Sequence, residues 1–307
     1  MTITIIGTFV LDTIHHMNGS IVNSIGGVSY AIAIISQLVS TTDIIIPISR
    51  IGYDASDAIK TFLSTFRNVN IQGLLHASDA MHTRVNLFYT DAENRYEILS
   101  NPFTPLSYEN VSPFLNSDVL LLNYITGFEL DLQTHIHVCN QAIGLVYMDF
   151  HSLTLGRDDD GRRYPCYVPE WGKWLDGVDI LQLNEHEAAL LNRSDDYAHF
   201  ASSVFEQGVQ ILNITLGAQG SLLYYRQGRL AKFHHIKSYY AKQAVDVTGC
   251  GDAFACGFII DYLSHGDPLH AAKAANYVAG FNSTLSGLTD IHHLAILNDT
   301  EALWKKF

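Results

Sequence analysis

The sequence has no long apolar run and no secretory signal. Although 48% of its 307 residues are hydrophobic, no uninterrupted apolar stretch approaches the roughly 18 residues that mark a membrane-spanning helix. The first residues, MTITIIGTFVLD, lack a basic segment and a small-residue cleavage site. We therefore expect a cytoplasmic protein that has no membrane partner.

Positive charge and cysteine are also scarce. The chain has 18 Lys and Arg against 31 Asp and Glu, a formal net charge of −13, which repels phosphate backbones, so we expect no nucleic-acid partner. Cys139, Cys166, Cys250 and Cys256 show no CxxC spacing, which disfavours a disulfide scaffold and a cysteine zinc site. Neighbouring histidines on a strand point to opposite faces, so we expect no metal bound by such a pair.

Short apolar runs alternate with helix-like stretches along the chain. The runs at 3–7, 43–48, 119–122, 144–149, 178–183 and 210–215 are rich in branched residues and mostly do not alternate with polar residues, as in strands buried on both faces. Helical segments at 29–40, 55–66, 185–192 and 197–206 lie between them. This order predicts an α/β fold with a doubly wound, mostly parallel sheet. Without a repeat or long linker, residues 1–307 are predicted to form a single domain.

Two segments break this order. Residues 13–25 and 81–100 alternate polar and apolar positions, as half-exposed antiparallel strands do, and the second contains a predicted turn at 91–94. We expect them to form a small antiparallel β lid over the ligand site. Exposed faces of such strands also offer a pairing surface, so a homodimer through the lid is a further hypothesis.

The most informative local signal is the segment 246–252, which reads DVTGCGD and is followed by apolar residues at helical spacing. Gly249 and Gly251 allow the backbone to bend tightly before a helix. The N–H groups from Gly249 to Asp252, together with the helix dipole, predict an anion site suited to a phosphoryl group. Asp252 is then either a plain helix cap or the base that accepts the proton of a substrate hydroxyl.

This segment resembles the DTTGAGD signature of the ribokinase-like (PfkB) carbohydrate kinases and departs from it only at Val247 and Cys250. Further resemblances follow the order of the family's motifs from residue 3 to about residue 290. They are the substrate-binding aspartate at Asp12, the diglycine at Gly26 and Gly27, the NxxE motif at Asn184 and Glu187, the nucleotide loop at Thr215, Gly217 and Gly220, and the adenine contact at Asn276.

The resemblance implies a phosphotransferase that uses ATP and Mg²⁺ and has an alcohol group as acceptor. Asp252 is then the general base, and the loop 249–252 is the anion hole. Asn184 and Glu187 share a helix face at i,i+3, where amide and carboxylate oxygens suit hydrated Mg²⁺, although a plain cap by Asn184 is the alternative. The resemblance also implies that Asp246, placed by the sequence after a strand-like segment, helps to hold a monovalent cation such as K⁺.

Cys250 is subject to opposing effects within this loop. The helix dipole favours the thiolate, whereas burial favours the thiol. We expect the dipole effect to prevail, so that iodoacetamide alkylates Cys250 and blocks activity, and bound MgATP slows the reaction.

The substrate is less well indicated than the chemistry. Residues 26–31 read GGVSYA, whereas the corresponding segment of ribokinase resembles GGKGAN. Thr126 occupies roughly the place at which ribokinase offers a carboxylate to the sugar. Both departures argue against ribose, so the first hypothesis is a sugar, a cyclitol or a related polyol. One alternative is a nucleoside kinase whose base slot is formed by the aromatic residues Phe9, Tyr124, Phe128 and Phe150. The other is a non-catalytic regulator that binds nucleotide or sugar.

An insertion at 151–169 is the largest departure from the family pattern. It lies after Asp149, at the carboxyl edge of the predicted sheet, where loops border ligand sites. Arg157, Arg162, Arg163 and Tyr164 are therefore candidates for shaping substrate choice. The alternative is a solvated charged loop without contact to the site.

Overall fold

The computed structural model describes residues 1–90, 95–192, 196–228 and 230–298. The turn predicted at 91–94 lies outside the described residues. No helix within these ranges is long and apolar enough to cross a bilayer.

Strands and helices alternate along most of the chain. The strands are β1 (Thr2–Ile6), β2 (Phe9–His15), β3 (Ile21–Gly27), β4 (Ile44–Gly52), β5 (Leu74–Ala77), β6 (Arg84–Tyr89), β7 (Arg95–Ser100), β8 (Val119–Asn123), β9 (Leu145–Asp149), β10 (Leu155–Arg157), β11 (Arg163–Pro165), β12 (Ile180–Asn184), β13 (Ile211–Thr215), β14 (Ser221–Gln227) and β15 (Leu230–Ile236). The α-helices are α1 (Ser29–Leu38), α2 (Ser56–Leu63), α3 (Tyr108–Val111), α4 (Leu132–Gln141), α5 (Glu185–Leu191), α6 (Tyr197–Glu206), α7 (Cys250–His265) and α8 (Pro268–Asn282).

Within the described residues, the main sheet has nine strands in the order β15-β14-β13-β12-β9-β8-β1-β4-β5. The seven strands from β13 to β5 run parallel, and β14 and β15 add an antiparallel edge. The predicted α/β fold with a mostly parallel, doubly wound sheet is confirmed. The single-domain organisation stays a prediction.

Helices cover both faces of this sheet. On β1, Ile5 packs into the core that includes α1, α7 and α8, whereas the next residue, Ile6, packs into the core that includes α4, α5 and α6. Successive side chains of a strand point to opposite faces, so a strand covered on both faces is apolar throughout. Full burial of each such side chain contributes about 1.5–3 kcal/mol.

A second sheet, to which the described part of the chain contributes four strands in the order β3-β2-β6-β7, forms the predicted lid. The pairs β2–β3 and β6–β7 are antiparallel, but the central pair β2–β6 is parallel, so the lid is not purely antiparallel as predicted. The reason is that β2 and β6 both follow strands of the main sheet and leave its carboxyl edge in the same direction.

The insertion forms a hairpin of β10 and β11 that docks on the lid; residues 155–165 are called the insertion hairpin below. The Leu99 N–H of β7 donates to the Gly161 carbonyl at 2.8 Å, and Arg163 donates to the Thr126 carbonyl at 2.7 Å and the Ser152 carbonyl at 3.2 Å. The insertion is therefore joined to the lid and to the loop after β8. Its contact with the substrate stays a prediction.

Candidate active site

The carboxyl ends of four adjacent strands bring polar residues together. Asn123, Asp149, Asn184 and Thr215 are the last residues of β8, β9, β12 and β13, which are neighbours in the sheet. Parallel strands end at the same edge, which is where α/β folds bind ligands. The last three of these residues line a pocket of about 450 Å³.

The loop before α7 forms one wall of this pocket. Gly249 has φ +74°, and a Cβ there would lie 2.4 Å from the ring of Tyr30, so only glycine fits. The turn directs the amino end of α7 toward the pocket, where Cys250 and Gly251 line the wall. Asp252 lies in the first helical turn, as the sequence predicts.

Asn123, the last residue of β8, fixes the side chain of Asp252 by a hydrogen bond. The Asn123 side-chain amide donates to Asp252 Oδ1 at 2.6 Å. Burial raises the pKa of Asp252 to about 6, although the Asn123 hydrogen bond and the charge of His151 act in the opposite direction. A carboxyl group with this pKa is ionised at neutral pH and is more basic than an ordinary aspartate.

Three further residues form a charged cluster beside Asp252. Burial raises the pKa of Asp149, and the carboxylates of Glu187 and Asp252 add to this shift. His151 Nδ1 lies 3.0 Å from Glu187 Oε1. Burial lowers the pKa of His151, but the hydrogen bond and charge of Glu187 outweigh it and raise this pKa to about 10. The imidazolium thus places one positive charge among three carboxyl groups.

Asn184 and Glu187 make a reciprocal cap on α5. Asn184 Oδ1 accepts the Glu187 N–H at 2.9 Å, and Glu187 Oε2 accepts the Asn184 N–H at 2.8 Å. Asn184 therefore caps α5, as the alternative interpretation predicted, and both residues also line the pocket. The donor set nearby fits a hydrated Mg²⁺, because the buried carboxyl groups of Asp149 and Glu187 offer oxygen ligands, and the charge of Glu187 helps to raise the pKa of Asp149, which a cation would lower.

The predicted substrate residues lie near Tyr30, at the start of α1. Burial raises the pKa of Tyr30, and the carboxylates of Asp246, Asp12 and Asp252 raise it further, so all three lie within electrostatic range of Tyr30. A Cβ at Gly26 would lie 1.8 Å from Asp12 Oδ2, so the diglycine lets this carboxylate lie directly against β3. Gly27 ends β3. Asp12, Gly26 and Asp252 therefore border the same region.

Asp246 differs from its predicted setting. It follows an irregular segment with a 3₁₀ turn at Ala241–Gln243, not the end of a strand. Its carboxylate accepts the Thr248 N–H at 2.9 Å, which closes a turn in the loop. Its role in holding a monovalent cation stays a prediction.

The predicted nucleotide residues all line the pocket. Thr215, Gly217 and Gly220 form its strand and turn side, and Asn276 of α8 lies on another wall. The Asn276 amide nitrogen donates to Ser221 Oγ at 2.7 Å and to the Ala272 carbonyl at 2.8 Å. This nitrogen is therefore engaged within the protein, and its contact with adenine stays a prediction.

Cys250 does not have the thiolate character that the sequence suggested. Burial raises the pKa of its thiol to about 11, despite a hydrogen bond from Asn282 that lowers it. Its Sγ lies 3.5 Å from the Ala279 carbonyl, and its N–H donates to the Val247 carbonyl at 3.2 Å. The expectation that the helix dipole prevails is therefore wrong, and in this conformation the Cys250 amide serves the turn.

Several residues of the site were not singled out from the sequence. Asn123 and Asp149 could have been found as polar residues that end buried strands. Gln182 donates to the Gly251 carbonyl at 3.1 Å and links β12 to the α7 loop. Its signal is a polar residue within an otherwise apolar strand.

Glu129 provides a buried carboxylate close to Thr126. It accepts hydrogen bonds from Thr8 Oγ1 at 2.7 Å, the Thr126 N–H at 2.8 Å and the Gly127 N–H at 2.9 Å. Because these donors already surround it, Glu129 orders the loop after β8.

Comparison with known proteins gives one family. The model of the pfkB family carbohydrate kinases matches residues 9–293. An ATP-dependent ribose-1-phosphate kinase of Halopiger xanaduensis is 31% identical over 118 residues, which cover 38% of this chain and 36% of that protein. A nucleoside kinase of Methanocaldococcus jannaschii is 22% identical over 218 residues, covering 70% of this chain and 65% of that protein. The chain thus spans from about a third to just under two thirds of these relatives' length.

Solved structures share the fold at low sequence identity. A pyrophosphate-dependent kinase in the ribokinase family has a TM-score of 0.79 at 16% identity, with 96% of this chain and 100% of that chain covered. Ribokinase from Thermotoga maritima has a TM-score of 0.72 at 20% identity, with 99% of each chain covered. At these identities the likeness concerns the fold alone.

Proposed function

The chain belongs to the pfkB family of carbohydrate kinases, and from that premise we propose that it transfers the γ-phosphoryl group of ATP to a hydroxyl of a sugar, cyclitol or related polyol. The observation that carries this proposal is the setting of Asp252. Its carboxyl group is held by Asn123 at 2.6 Å, has a pKa of about 6, and lies in the first turn of the helix that borders the pocket.

Asp252 is the general base in this proposal. It accepts the proton of the acceptor hydroxyl, which makes the oxygen a better nucleophile toward the phosphoryl group. The amide groups of the loop 249–252 and the positive end of the α7 dipole stabilise negative charge on that group. Because the Cys250 amide is engaged with Val247, we assign this part mainly to the Gly251 and Asp252 amides.

Asp149 and Glu187 would hold Mg²⁺, with Asn184 beside them. The ion, when bound, neutralises charge on the phosphates. His151 pairs with Glu187, one of the two residues that would hold the ion. Its imidazolium therefore holds the Glu187 carboxylate in place and offers a second positive charge to the phosphates. The binding of a monovalent cation such as K⁺ by Asp246 remains a proposal.

The acceptor is proposed to bind beneath the lid, between Asp12 and Asp252. The carboxylate of Asp12 accepts hydrogen bonds from hydroxyls that do not react, and Gly26 lets the acceptor approach the backbone. The insertion hairpin is joined to β7 and therefore extends the lid. Arg163 then acts on substrate choice through the Thr126 loop, to which it donates.

A nucleoside acceptor is the second candidate, favoured by the nucleoside kinase among the relatives. The aromatic residues first considered for a base slot do not support it, because Phe9, Tyr124 and Phe150 are at most 1% exposed and belong to the core. Phe128, at 36% exposure, remains available. A non-catalytic regulator is disfavoured because Asp252, the proposed base, is present and, with a pKa of about 6, is ionised at neutral pH.

A screen of acceptors tests the proposal. Sugars, inositols and nucleosides are added to the protein with a nonhydrolysable ATP analogue, and thermal unfolding is followed, since a ligand at 100 times its Kd stabilises by about 2.7 kcal/mol. Compounds that stabilise are then assayed for phosphorylation with MgATP and, separately, with pyrophosphate. We expect a polyol to be phosphorylated with MgATP. Turnover of nucleosides alone, or with pyrophosphate alone, would contradict the proposed acceptor or donor.

A further inference from the structure

A second cluster of ligating side chains lies at the opposite end of α7 from Asp252. Asp261 is nine residues further along the helix, which corresponds to about 14 Å along its axis. Asp261 Oδ2 lies 3.0 Å from His265 Nδ1, and Asp261 Oδ1 lies 2.9 Å from His270 Nδ1. This cluster is separate from the pocket and does not depend on the proposed function.

The corner between α7 and α8 brings the three residues together. Asp261 and His265 are spaced i,i+4 and share one face of α7. Gly266, at φ +68°, ends α7, and Asp267 caps α8 by accepting the Leu269 N–H at 2.9 Å. The chain therefore reverses within two residues, and His270 of the first turn of α8 faces the end of α7. The arrangement follows from short-range sequence signals and from the close packing of the two helices.

The electrostatics of the cluster favour a cation. Asp261 has a side-chain exposure of only 2%, and each of its two carboxyl oxygens faces one imidazole ring. The two imidazole rings have centroids 4.9 Å apart, so both can reach one ion. A single divalent ion would compensate the charge of the buried carboxylate and accept a nitrogen ligand from each imidazole.

The geometry also suits a metal ion. One ligand atom from each of the three residues lies within 4.8 Å of the other two. Ligand atoms around a tetrahedral ion with bonds of about 2.0–2.2 Å are roughly 3.3 Å apart, so small rotations of the rings complete the site. The side chains of His265 and His270 are 38% and 29% exposed, which gives an ion access from solvent and leaves a position for water.

We propose that Asp261, His265 and His270 form a binding site for a divalent transition-metal ion, with Zn²⁺ as the best match. Two imidazoles and a carboxylate are the donor set that Zn²⁺ accepts, whereas Mg²⁺ prefers oxygen ligands alone. The site therefore differs in selectivity from the Mg²⁺ position in the pocket. A bound ion would clamp α7 to α8, the two helices that also form walls of the pocket.

Metal titration of the whole chain tests this site. The protein is stripped with a chelator, and Zn²⁺ is titrated in competition with a chromophoric chelator, with Co²⁺ as a spectroscopic probe of coordination. We expect one equivalent of Zn²⁺ to bind and a tetrahedral Co²⁺ spectrum to appear. His270→Gln should weaken binding by more than about 100-fold, since loss of a ligand exceeds the 10- to 100-fold cost of losing an outer partner. It should also abolish the rise in thermal midpoint that Zn²⁺ causes in the parent.

The control variants are His234→Gln and His292→Gln, each of which removes one member of an adjacent histidine pair elsewhere. They should bind Zn²⁺ as the parent does. His270 is partly exposed, so His270→Gln is expected to fold even if a variant of the buried Asp261 does not. Absence of stoichiometric binding, or equal affinity in the parent and His270→Gln, would overturn the proposal. So would loss of binding in a control variant.

Discussion

The hydrogen bond from Asn123 to Asp252 allows a quantitative prediction. The Asn123 amide donates to Asp252 Oδ1 at 2.6 Å and thereby lowers the pKa of a carboxyl group that burial has raised to about 6. In Asn123→Ala the charged form of Asp252 loses this donor while the protonated form loses little. The pKa of Asp252 should therefore rise.

The size of the shift follows from the energy of the bond. A hydrogen bond to a charged group contributes about 1.5–3 kcal/mol, and one pKa unit corresponds to 1.36 kcal/mol, so the shift is roughly 1–2 units. The base must be ionised, so activity falls as pH drops through its pKa. The acid limb of kcat/KM should move from about pH 6 in the parent to about pH 7–8 in the variant. Activity lost at neutral pH should then return near pH 9.

The assay is the pH dependence of kcat/KM for the parent and the variant, with the acceptor found in the screen. Asn68→Ala is the matched control, because Asn68 is also a buried asparagine and accepts a hydrogen bond from Ser36 Oγ at 2.6 Å. It should lower thermal stability without moving the acid limb. A uniform loss of activity at all pH values in Asn123→Ala, or an unmoved acid limb, would refute the reasoning.

Three further predictions concern the acceptor side, the thiol and the lid. In steady-state kinetics, Gly26→Ala should raise the KM for the acceptor more than the KM for ATP. The reason is that the added Cβ would lie 1.8 Å from the present position of Asp12 Oδ2 and would displace this carboxylate. Equal effects on both KM values would argue against this role of Asp12. Cys250, with a thiol pKa of about 11, should react with iodoacetamide at least about 10-fold more slowly than free cysteine at pH 8 by peptide mass mapping, and faster labelling would show that the thiol is not buried in solution. Val22, 45% exposed on the lid edge strand β3, should support a dimer that Val22→Arg disrupts in light scattering, and a strictly monomeric parent would exclude this pairing.

The sequence was most informative where local pattern and tertiary structure coincide. The apolar run of β1 predicted a strand buried on both faces, and Ile5 and Ile6 do pack against opposite layers. The segment 246–252 predicted a glycine turn that opens a helix, and Gly249 has the positive φ that this turn needs. Such features depend on neighbours in sequence, so they can be predicted without the fold.

Contacts between distant segments could not be predicted in the same way. Asn123 and Asp252 are 129 positions apart and meet only because β8 lies beneath the amino end of α7. The thiol of Cys250 illustrates the same limit. The start of a helix, and with it the helix dipole, can be predicted from the sequence, but the burial that raises the pKa of the thiol cannot. The parallel pairing of β2 and β6 likewise depends on where two strands leave the main sheet.

The central claim is that Asp252 accepts the proton of the acceptor hydroxyl, and Asp252→Asn tests it most directly. The amide keeps the size of the side chain but cannot act as the base, so phosphoryl transfer should fall by about 10² to 10⁴ while calorimetry shows unchanged binding of the ATP analogue. Transfer by the variant at more than half of the parent rate would contradict the claim.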